Sequence, residues 1–570
     1  MQILRANVAV LGISRQDIPN EYHGWGGRGL VARVLLNEVP PTCSPLSPAN
    51  KLVLANGPFA GIRISSAGRL SAGAKSPLTG GIKEANAGGT AADALARLGL
   101  RAIVVEGQPA DGALYVLRVG EDGAELIRGD EYRLLGTFDL CERLHTRFGP
   151  KVAIVCIGPA GEMKLAAAGV AVTDIDGNPN RYAARGGIGA VMGAKGIKAV
   201  VVGDCRKEPT IHDKAAFRET LKRFRQALME NHSTSVGMPK YGTVEILDRV
   251  QKLGGLPTRN FRQGSFELAD EVNAEKLRSL ILARGGEGNT THACMPGCFV
   301  RCSNVFPVEA GQAFVSPLEY ENIVLLGVNL GIGSLDKIAV LNRLCNDYGL
   351  DTIETGAAIG VAMEAGELAF GDADGAIRLL REMGEGTTRG RVLGQGAAVT
   401  GKVLGVERVP VVKGQAIAAY DPRAIKGIGV TYVTSPMGAD HTAGHTVYTK
   451  VDHHLPQGQI EVSRNAQIFS AAFDALGLCS FLRPALVTQP GIVADLHNAV
   501  HGTAYGPGHI SDLGREVIRM EKAFNKAAGF TTAHDRYPDF ILKEKLPPFD
   551  LIFDVPTGET DNLSEFLGSY

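Results

Sequence analysis

The sequence predicts an α+β protein of several domains, with an N-terminal mixed α/β domain followed by two mainly helical domains. Three observations predict this class. The chain has 570 residues, which is too many for one hydrophobic core. Short runs rich in valine and isoleucine alternate with glycine turns up to about residue 205. Beyond that point helical spacing dominates, beginning with an amphipathic stretch over 213–231.

The strand candidates of the N-terminal domain are short, rich in β-branched residues and bounded by turn residues. They are 7–11, 51–55, 101–106, 114–119, 152–157 and 198–202. Between them, apolar residues at helical spacing predict helices over 90–98 and 138–147. The predicted domain limits are 1–205, 206–408 and 409–570. We expect no internal repeat at a fixed period.

Composition excludes several classes of function. The chain is 45% hydrophobic and 21% charged, with a formal net charge of −1, so we expect neither a nucleic-acid partner nor attraction to anionic membranes. No run of about 18 apolar residues predicts a membrane span. The N-terminal segment lacks the apolar region and cleavage site of a signal peptide, so we expect a cytoplasmic protein.

Three of the nine cysteines are clustered in THACMPGCFVRC, residues 291–302. Cys294, Cys298 and Cys302 have the spacing C-x3-C-x3-C, and a Pro-Gly turn between the first two would splay the thiols as an iron–sulfur cubane requires. Cys479 is the candidate fourth ligand. Structural zinc, with His292 as a further ligand, and buried free thiols are alternatives. Radical-SAM chemistry uses a different cysteine spacing and a barrel of parallel strands.

Two glycine-rich loops combine exposed backbone N–H groups with a cation, which is how proteins cradle phosphate. The first runs from Ser66 to Gly89, and the second, ARGGIGAVMGAK, covers 184–195. Neither has the spacing of a Walker A or Rossmann motif. Taken alone, each loop is equally consistent with tight turns between strands.

Together these segments resemble the aldehyde:ferredoxin oxidoreductase family of tungsten enzymes, along essentially the whole chain. The similarity rests on the motifs GGRGL (26–30), AKSPLTG (74–80), NAGG (86–89), RGGIGAVMGAKGIKA (185–199), EYE (319–321), YDPR (420–423), GADH (438–441) and DALGLC (474–479). The resemblance implies a base domain that carries two pyranopterins and two helical domains that close over them. The pterin dithiolenes, which bind tungsten or molybdenum alike, would hold the metal, and Mg²⁺ would bridge the pterin phosphates near Asn86 and Ala184.

The resemblance also assigns residues to the cofactors. Cofactor contacts in the base domain are assigned to Arg69, Asn86, Ala87, Gly88, Gly89, Ala184, Arg185, Gly186 and Gly187. Two D-x-x-G-L-(D/C) motifs supply further contacts: Asp474, Gly477 and Leu478 before Cys479, and Asn346, Gly349 and Asp351, where asparagine replaces the opening aspartate. The family's common cluster spacing, C-x2-C-x3-C, places Thr291 at the first ligand position. Cys302 is therefore predicted as the replacement ligand.

The segment Ser316-Pro317-Leu318-Glu319 predicts a helix start with a serine cap, which gives Glu319 a structural role. Glu321 is then the predicted proton-handling group, and His441 resembles the family's active-site histidine. Asp351 is predicted to cap another helix. His445 lies four residues beyond His441, but without an H-E-x-x-H pattern we expect a polar loop residue there.

The implied reaction is oxidation of an aldehyde to a carboxylic acid, with electrons passing through a [4Fe–4S] cluster to ferredoxin or a polyferredoxin-like subunit. Two alternatives remain open. One is reduction of an aromatic acyl-CoA or a carboxylic acid on the same scaffold. The other is an electron-transfer subunit that retains only the cluster. The identity of the aldehyde and any oligomeric state are left open.

Overall fold

The structure, a computed structural model, describes residues 1–567 and begins with a six-stranded mixed sheet. Its strand order is β2-β1-β6-β3-β4-β5, in which β1 and β6 are parallel and all other neighbours are antiparallel. The elements are β1 Gln2–Asn7, β2 Gly12–Asp17, α1 Gly27–Glu38, β3 Leu52–Asn56, β4 Leu70–Lys75, β5 Ile82–Ala87, α2 Ala91–Arg97 and β6 Leu100–Glu106.

A second six-stranded sheet follows, with the order β8-β7-β12-β9-β10-β11. Here β7 and β12 are parallel and the other neighbours are antiparallel. The elements are β7 Tyr115–Gly120, β8 Gly123–Arg128, α3 Thr137–Phe148, β9 Ala153–Cys156, α4 Pro159–Glu162, β10 Val170–Val172, β11 Arg181–Ala183, α5 Ile188–Ala194 and β12 Ile197–Val202.

The two sheets have the same topology, strand for strand, so the base domain contains two related halves. Their edge strands β5 and β11 pack side by side. Each of these strands leads into a Gly-Gly turn, Gly88-Gly89 or Gly186-Gly187, and then into a short helix. The expectation of no repeat at a fixed sequence period is not contradicted, because the two halves share chain geometry and a few turn glycines rather than a regular sequence period.

The strand predicted over 7–11 is also wrong. The strand is Gln2–Asn7, and residues 8–11 form the turn to β2, with Leu11 in the left-handed region at φ 51°. Turn formation here overrides the β-propensity of two valines. The other five strands and the three predicted helices are confirmed, to within two residues at each end.

The rest of the chain is mostly helical, and the predicted domain limits within it stay predictions. Its first part contains a small three-stranded sheet that holds the cysteine loop. The elements are α6 Lys214–Glu230, α7 Met238–Tyr241, α8 Ile246–Lys252, α9 Ala274–Arg284, β13 Asn289–His292, β14 Ser303–Pro307, β15 Ala313–Val315, α10 Tyr320–Leu326, α11 Leu335–Tyr348, α12 Thr352–Glu364, α13 Ala373–Glu385, α14 Thr388–Gly394 and α15 Ala397–Leu404.

The last part carries one short hairpin and seven helices within the described residues. The elements are β16 Val411–Val412, β17 Gln415–Ala416, α16 Lys426–Thr434, α17 Gln459–Leu476, α18 Arg483–Leu486, α19 Pro490–His501, α20 His509–Ala527, α21 Asp539–Lys543 and α22 Thr557–Leu567. Over residues 1–567 no single helix is long and apolar enough to cross a membrane. Two helical segments joined at a sharp bend, Tyr320–Leu330 and Leu335–Tyr348, are together long and apolar enough, judged by length and composition alone.

Each half of the base receives the C-terminus of one long helix. Helix α17 ends at Gly477, whose carbonyl accepts a hydrogen bond from the Arg69 amide at 3.2 Å. Helix α11 ends at Gly349, whose carbonyl accepts one from the Gly169 amide at 2.9 Å. Both terminal glycines are left-handed, at φ 68° and 74°. The helix ends thus meet the base backbone to backbone, in equivalent places.

Two base glycines make this approach possible. A Cβ on Gly57 would collide with the Leu476 carbonyl, and a Cβ on Gly158 would collide with the carbonyl group of Tyr348. Backbone cannot yield as a flexible side chain can. Since β3 and β9 each end just before one of these glycines, the two contacts are also related by the internal repeat.

We expect Gly57→Ala and Gly158→Ala each to destabilise the protein by about 1–3 kcal/mol or more, because overpacking forces the helix end away from the base. Gly491→Ala is the matched control, since an added Cβ would lie 3.8 Å from Pro507, an ordinary contact. Thermal unfolding of the purified proteins measures the effect. Equal midpoints for the two base variants and the control would contradict this account of the interface.

Candidate cofactor and active site

The four predicted cluster cysteines come together in one buried region. Cys298, Cys302 and Cys479 share a hydrophobic cluster, and Cys294 packs against it. Ser66 joins the two chain segments that carry them. Its carbonyl accepts a hydrogen bond from the Cys479 amide at 2.8 Å, and its hydroxyl donates to Cys298 Sγ at 3.5 Å. Cys298 and Cys479, which are 181 positions apart in sequence, are therefore held at one place.

The surroundings of Cys298 favour its thiolate, whereas burial raises the pKa of Cys302 and Cys479. A hydrogen bond from the Cys294 thiol, with others from the Ser66 hydroxyl and the Arg301 amide, lowers the pKa of Cys298 despite its burial. The guanidinium of Arg69 lies against the Cys479 thiol. A set of four sulfurs, three from a turn and one from another segment, fits an iron–sulfur cluster. Cys302 is part of this set, whereas Thr291 is in strand β13.

His292 is not free to serve as a ligand in place of a cysteine. Arg181 donates to its Nδ1 at 3.1 Å, which leaves Nε2 to donate to Asp176 Oδ2 at 2.7 Å. Both ring nitrogens are occupied. His292 therefore anchors strand β13 to the base, and the zinc alternative loses its nitrogen ligand.

The loop Asn86–Gly89 touches the cysteine loop directly. A Cβ on Gly88 would lie 3.1 Å from Cys294 Sγ, closer than side chains normally approach. The Gly89 amide donates to the Cys294 carbonyl at 2.9 Å. Gly88 thus allows a close approach, and the Gly89 N–H is committed to the cluster loop. The predicted cofactor contacts of Ala87, Gly88 and Gly89 stay predictions.

Arg69 and Asn86 form a small polar network beside the cysteines. Arg69 donates to the Asn86 carbonyl at 3.0 Å and also to its side-chain oxygen. The Asn86 side chain donates to Asp474 Oδ1 at 3.1 Å, and Arg28 donates to Asp474 Oδ2 at 3.2 Å. The opening aspartate of the DALGLC motif is therefore held by the base. Arg28, from the GGRGL motif, was not predicted as a site residue.

The equivalent place in the other half contains Arg185 and Asp351. Arg185 donates to the carbonyls of Ala416 at 2.5 Å and Ala439 at 2.6 Å. Its Nε lies 3.6 Å from Asp351 Oδ2, and neither atom has a hydrogen-bond partner within residues 1–567. Asp351 caps α12 through the Ile353 amide, as predicted. Two buried, unsatisfied atoms of opposite charge fit a polar cofactor group at this place.

The first D-x-x-G-L motif is anchored through its backbone. The Asn346 carbonyl accepts hydrogen bonds from the hydroxyls of Tyr182 and Thr137, the latter at 2.9 Å. The Asp351 amide donates to the Ala167 carbonyl at 2.8 Å, the counterpart of the bond between Cys479 and Ser66. Backbone anchoring does not depend on the side chain at position 346, which explains how asparagine is accommodated there.

Gly186 makes room for a buried ion pair that the sequence did not reveal. A Cβ there would collide with the side chain of Lys83, and the left-handed φ of 84° also disfavours other residues. Lys83 reaches past Gly186 to Asp440, and both side chains are at least 96% buried. Although burial raises it, the pKa of Asp440 is lowered overall by Lys83 and Arg185. Lys83 on strand β5 therefore fixes Asp440, the residue that precedes His441.

The helix that carries Glu321 begins later than predicted. Its cap is Glu319, whose side chain bonds the Asn322 amide while the Asn322 side chain accepts from the Glu319 amide at 2.8 Å. The predicted cap at Ser316 is wrong because that hydroxyl donates to the Asn304 carbonyl at 2.7 Å instead. Glu319 has the expected structural role, and Glu321 lies in the first turn of α10.

Glu321 and His441 meet, although they are 120 residues apart in sequence. Glu321 Oε1 lies 3.4 Å from His441 Nε2, and its Oε2 accepts a hydrogen bond from the Ala419 amide at 2.9 Å. Glu321 Oε1 and His441 Nδ1 have no hydrogen-bond partner in the described part of the chain. Burial raises the pKa of Glu321 to about 8 and lowers that of His441 to about 4. Near neutral pH both groups are uncharged.

Two further buried side chains near this pair were not predicted. Glu354 accepts hydrogen bonds from the amides of Ala397 and Ala416, each at 2.9 Å, and so supports the segment that leads to Ala419. The buried Tyr432 hydroxyl has no partner in residues 1–567. His445 packs edge-on against Tyr420 at 4.9 Å between ring centroids, and burial lowers its pKa to about 3. A polar loop residue was expected there.

Comparison with known proteins identifies the family of the chain. The family models named "Aldehyde ferredoxin oxidoreductase, N-terminal domain" and "Aldehyde ferredoxin oxidoreductase, domains 2 & 3" match residues 3–204 and 219–567. The chain belongs to the aldehyde ferredoxin oxidoreductase family. It is therefore an oxidoreductase, and the predicted family and fold class are confirmed.

Individual relatives cover nearly the whole chain. Tungsten-containing aldehyde ferredoxin oxidoreductases of Pyrococcus horikoshii and Thermococcus kodakarensis are 31% and 32% identical, each covering 96% of this chain and 92% of their own length. The WOR-like subunit of an aliphatic sulfonate oxidoreductase from Pyrococcus furiosus is 24% identical over 87% of this chain and 81% of its own. A solved active-site complex BamBC of benzoyl coenzyme A reductase shares the fold, with a TM-score of 0.80 and 17% identity. The match covers 100% of this chain and 94% of the solved chain.

We expect Cys302→Ala to lose iron or to hold an unstable cluster, because it removes one of the four proposed thiolate ligands of the cluster. Cys345→Ala is the control, since Cys345 is equally buried but lies in α11, outside the cysteine set. Iron content and the EPR spectrum of the reduced protein are the measurements. A Cys302→Ala protein with full iron and an unchanged spectrum would refute the ligand assignment.

Proposed function

We propose that this protein oxidises aldehydes to carboxylic acids at a tungsten held by two pterins. Electrons leave through a [4Fe–4S] cluster bound by Cys294, Cys298, Cys302 and Cys479 to ferredoxin or a ferredoxin-like subunit. The observation that carries the proposal is the buried Glu321–His441 pair. Arg185 lies within electrostatic range of Glu321 and holds the segment around His441 to the base. The named relatives that cover the chain at 31–32% identity support the same activity.

The reaction converts an aldehyde and water into a carboxylic acid, two protons and two electrons. The bis-pterin metal supplies the two-electron redox chemistry when it is bound. Neither Glu321 nor His441 is needed to hold it. The protein's own groups must bind the aldehyde, orient it and handle the protons.

Glu321 is the group that takes a proton as water adds to the carbonyl carbon. Its Oε2 is fixed by the Ala419 amide, so Oε1 is the free oxygen. Once protonated, Oε1 can donate to Nε2 of the neighbouring His441. That leaves the Nδ1–H tautomer of His441, whose free donor can polarise the aldehyde oxygen. The pair therefore divides two roles: Glu321, once deprotonated, is the base, and the uncharged His441 is the donor.

The two proposed cofactor regions share residues, which supports electron transfer between the groups they would hold. Arg69 bonds Asn86 on one side and lies against Cys479 on the other. The loop Asn86–Gly89 bonds the backbone of Cys294. An iron–sulfur cluster held by the four cysteines would supply one-electron transfer. Residues near Asn86 and Ala184 would hold the Mg²⁺ that belongs to the same proposal.

We expect protein purified without oxygen to contain tungsten or molybdenum, pterin and about four irons, and to oxidise a panel of acetaldehyde, crotonaldehyde and benzaldehyde with a viologen dye. Elemental analysis and dye reduction are the measurements. Iron without tungsten or molybdenum would favour the electron-transfer subunit instead. Reduction of benzoyl-CoA in place of aldehyde oxidation would favour the acyl-CoA alternative.

We expect Glu321→Gln to retain metal and pterin while turnover falls about 10²- to 10⁴-fold, the usual contribution of an acid–base group. Since a base acts only when deprotonated, kcat/KM of the wild type should rise with pH through about 8, the pKa of Glu321. The glutamine variant should lose that rise. Steady-state rates between pH 6 and 10 provide the measurement.

Arg69→Ala is the contrasting variant, because it removes the contact between Asn86 and Cys479 and should impair cofactor retention first. His441→Ala should behave like Glu321→Gln, with weaker aldehyde binding. Unchanged turnover in Glu321→Gln would overturn the assignment. So would loss of tungsten from Glu321→Gln with none from Arg69→Ala.

A further inference from the structure

Three histidine rings lie together where helices α19 and α20 meet, and the proposed function uses none of them. His497 and His501 are one helical turn apart on α19, in the segment HNAVH, and His509 opens α20. The ring centroids of His497 and His501 are 4.7 Å apart, and those of His497 and His509 are 6.1 Å apart. Phe59 of the base packs against His497 at 5.9 Å. We name His497, His501 and His509 the histidine group.

Hydrogen bonds fix the tautomer of His497. The Asn498 side chain donates to the Tyr505 carbonyl at 2.8 Å, and its Oδ1 accepts from the Tyr505 amide at 2.7 Å, which settles the orientation of that side chain. The Thr503 hydroxyl lies 2.8 Å from the same Oδ1 and must therefore donate its one hydrogen to it. Thr503 can then only accept from Nδ1–H of His497, at 3.0 Å. Neutral His497 keeps its lone pair on Nε2.

The base fixes the tautomer of His501. Its Nε2 lies 3.0 Å from the Pro58 carbonyl, which can only accept, so Nε2 carries the hydrogen and Nδ1 the lone pair. Loss of contact with water lowers the pKa of His497 to about 3 and that of His501 to about 4, so both rings are neutral near pH 7. The ring nitrogens of His509 have no hydrogen-bond partner within residues 1–567. Each ring therefore offers the uncharged nitrogen that metals bind.

The spacing of the rings suits one metal ion. Because a zinc–nitrogen bond is about 2.0–2.1 Å long, two imidazoles on one tetrahedral zinc have ring centroids roughly 5 Å apart, close to the 4.7 Å between His497 and His501. His509 stacks on Tyr505 at 3.5 Å, and its side chain must turn to join them, since within residues 1–567 the three ring nitrogens do not all lie within 4.8 Å of one another. Arg101 is in electrostatic range of both α19 histidines, so charge alone does not attract a cation here. This selects a metal that imidazole binds well, such as zinc, over Mg²⁺ or Ca²⁺.

We propose that the histidine group is a zinc site, with Nε2 of His497, Nδ1 of His501 and one ring nitrogen of His509 as its protein ligands. Water completes the coordination. The ion connects α19 to α20 and, through the hydrogen bond of His501 to Pro58, secures the base segment beside the end of α17. Thr503 is a positioning residue, because its hydroxyl decides which nitrogen of His497 is free. The site is independent of the aldehyde chemistry.

The test is equilibrium dialysis against Zn²⁺ of the full chain, purified without oxygen and with its own cofactors. Zinc and iron are measured in the same sample, so zinc that enters at the cysteines is recognised by the iron it displaces. His501→Gln keeps an amide that can donate to Pro58, and His509→Phe keeps a ring to stack on Tyr505. Thr503→Val tests the positioning role. His232→Ala is the matched control, because His232 is exposed and its side chain makes no capping hydrogen bond.

We expect the wild type and His232→Ala to bind about one zinc ion per chain with unchanged iron. His501→Gln and His509→Phe should each lose at least about tenfold in zinc affinity, and Thr503→Val about 10- to 100-fold, as other hydrogen-bond partners of metal ligands do. Zinc should also raise the midpoint of thermal unfolding of the wild type more than that of these variants.

Two results would overturn the site. One is a wild type that binds no zinc, or takes it up only as iron is lost. The other is undiminished zinc affinity in His509→Phe, or a loss in His232→Ala equal to that in the other variants. Because His509→Phe removes no hydrogen bond within residues 1–567, it decides the question even if His501→Gln fails to fold.

Discussion

Close contact between backbones holds the whole site together. The left-handed glycines that end α17 and α11 meet base segments at Gly57 and Gly158, where no side chain intervenes. Each contact is closed by amide-to-carbonyl bonds, which need no particular side chain. Since Cys479 and Asp351 follow these helix ends by two residues, the position of a cluster ligand and of a cofactor residue is set by backbone geometry.

This constraint explains why the four clustered cysteines lie against Arg69 and the loop Asn86–Gly89. Ser66 precedes Arg69 in the base, and it binds both Cys479 and Cys298. Arg69 then connects Cys479 with Asn86. The second half of the base has the same backbone bonds but an aspartate, Asp351, where the first has Cys479. One internal repeat thus supports two different side chains at equivalent places, a cysteine of the proposed cluster on one side and an aspartate beside Arg185 on the other.

The family motifs carried most of what the sequence could predict. The four cysteines lie in one region, as expected. Glu321 and His441 meet in another, also as expected, because the backbone of the segments that carry them is anchored. The order of strands and the internal repeat could not be seen, since they depend on pairing between residues up to 100 positions apart. Lys83 was missed because nothing in its strand marks it, and its role depends on the space left by Gly186. The cap at Ser316 was wrong because a tertiary hydrogen bond to Asn304 outweighed a local preference.

Buried charge explains how the C-terminal part of the chain is held against the base near Glu321 and His441. Lys83 and Asp440 form an ion pair away from water, and such a pair is costly to desolvate but also costly to break. If the segment carrying Asp440 moved away, Lys83 would be left buried without its partner. Arg185 adds a second restraint through the carbonyls of Ala416 and Ala439. His441 and Ala419 are therefore held within reach of the Glu321 carboxyl group. Because Glu321 and His441 are both uncharged near neutral pH, burying them adds no further cost of desolvating a charge.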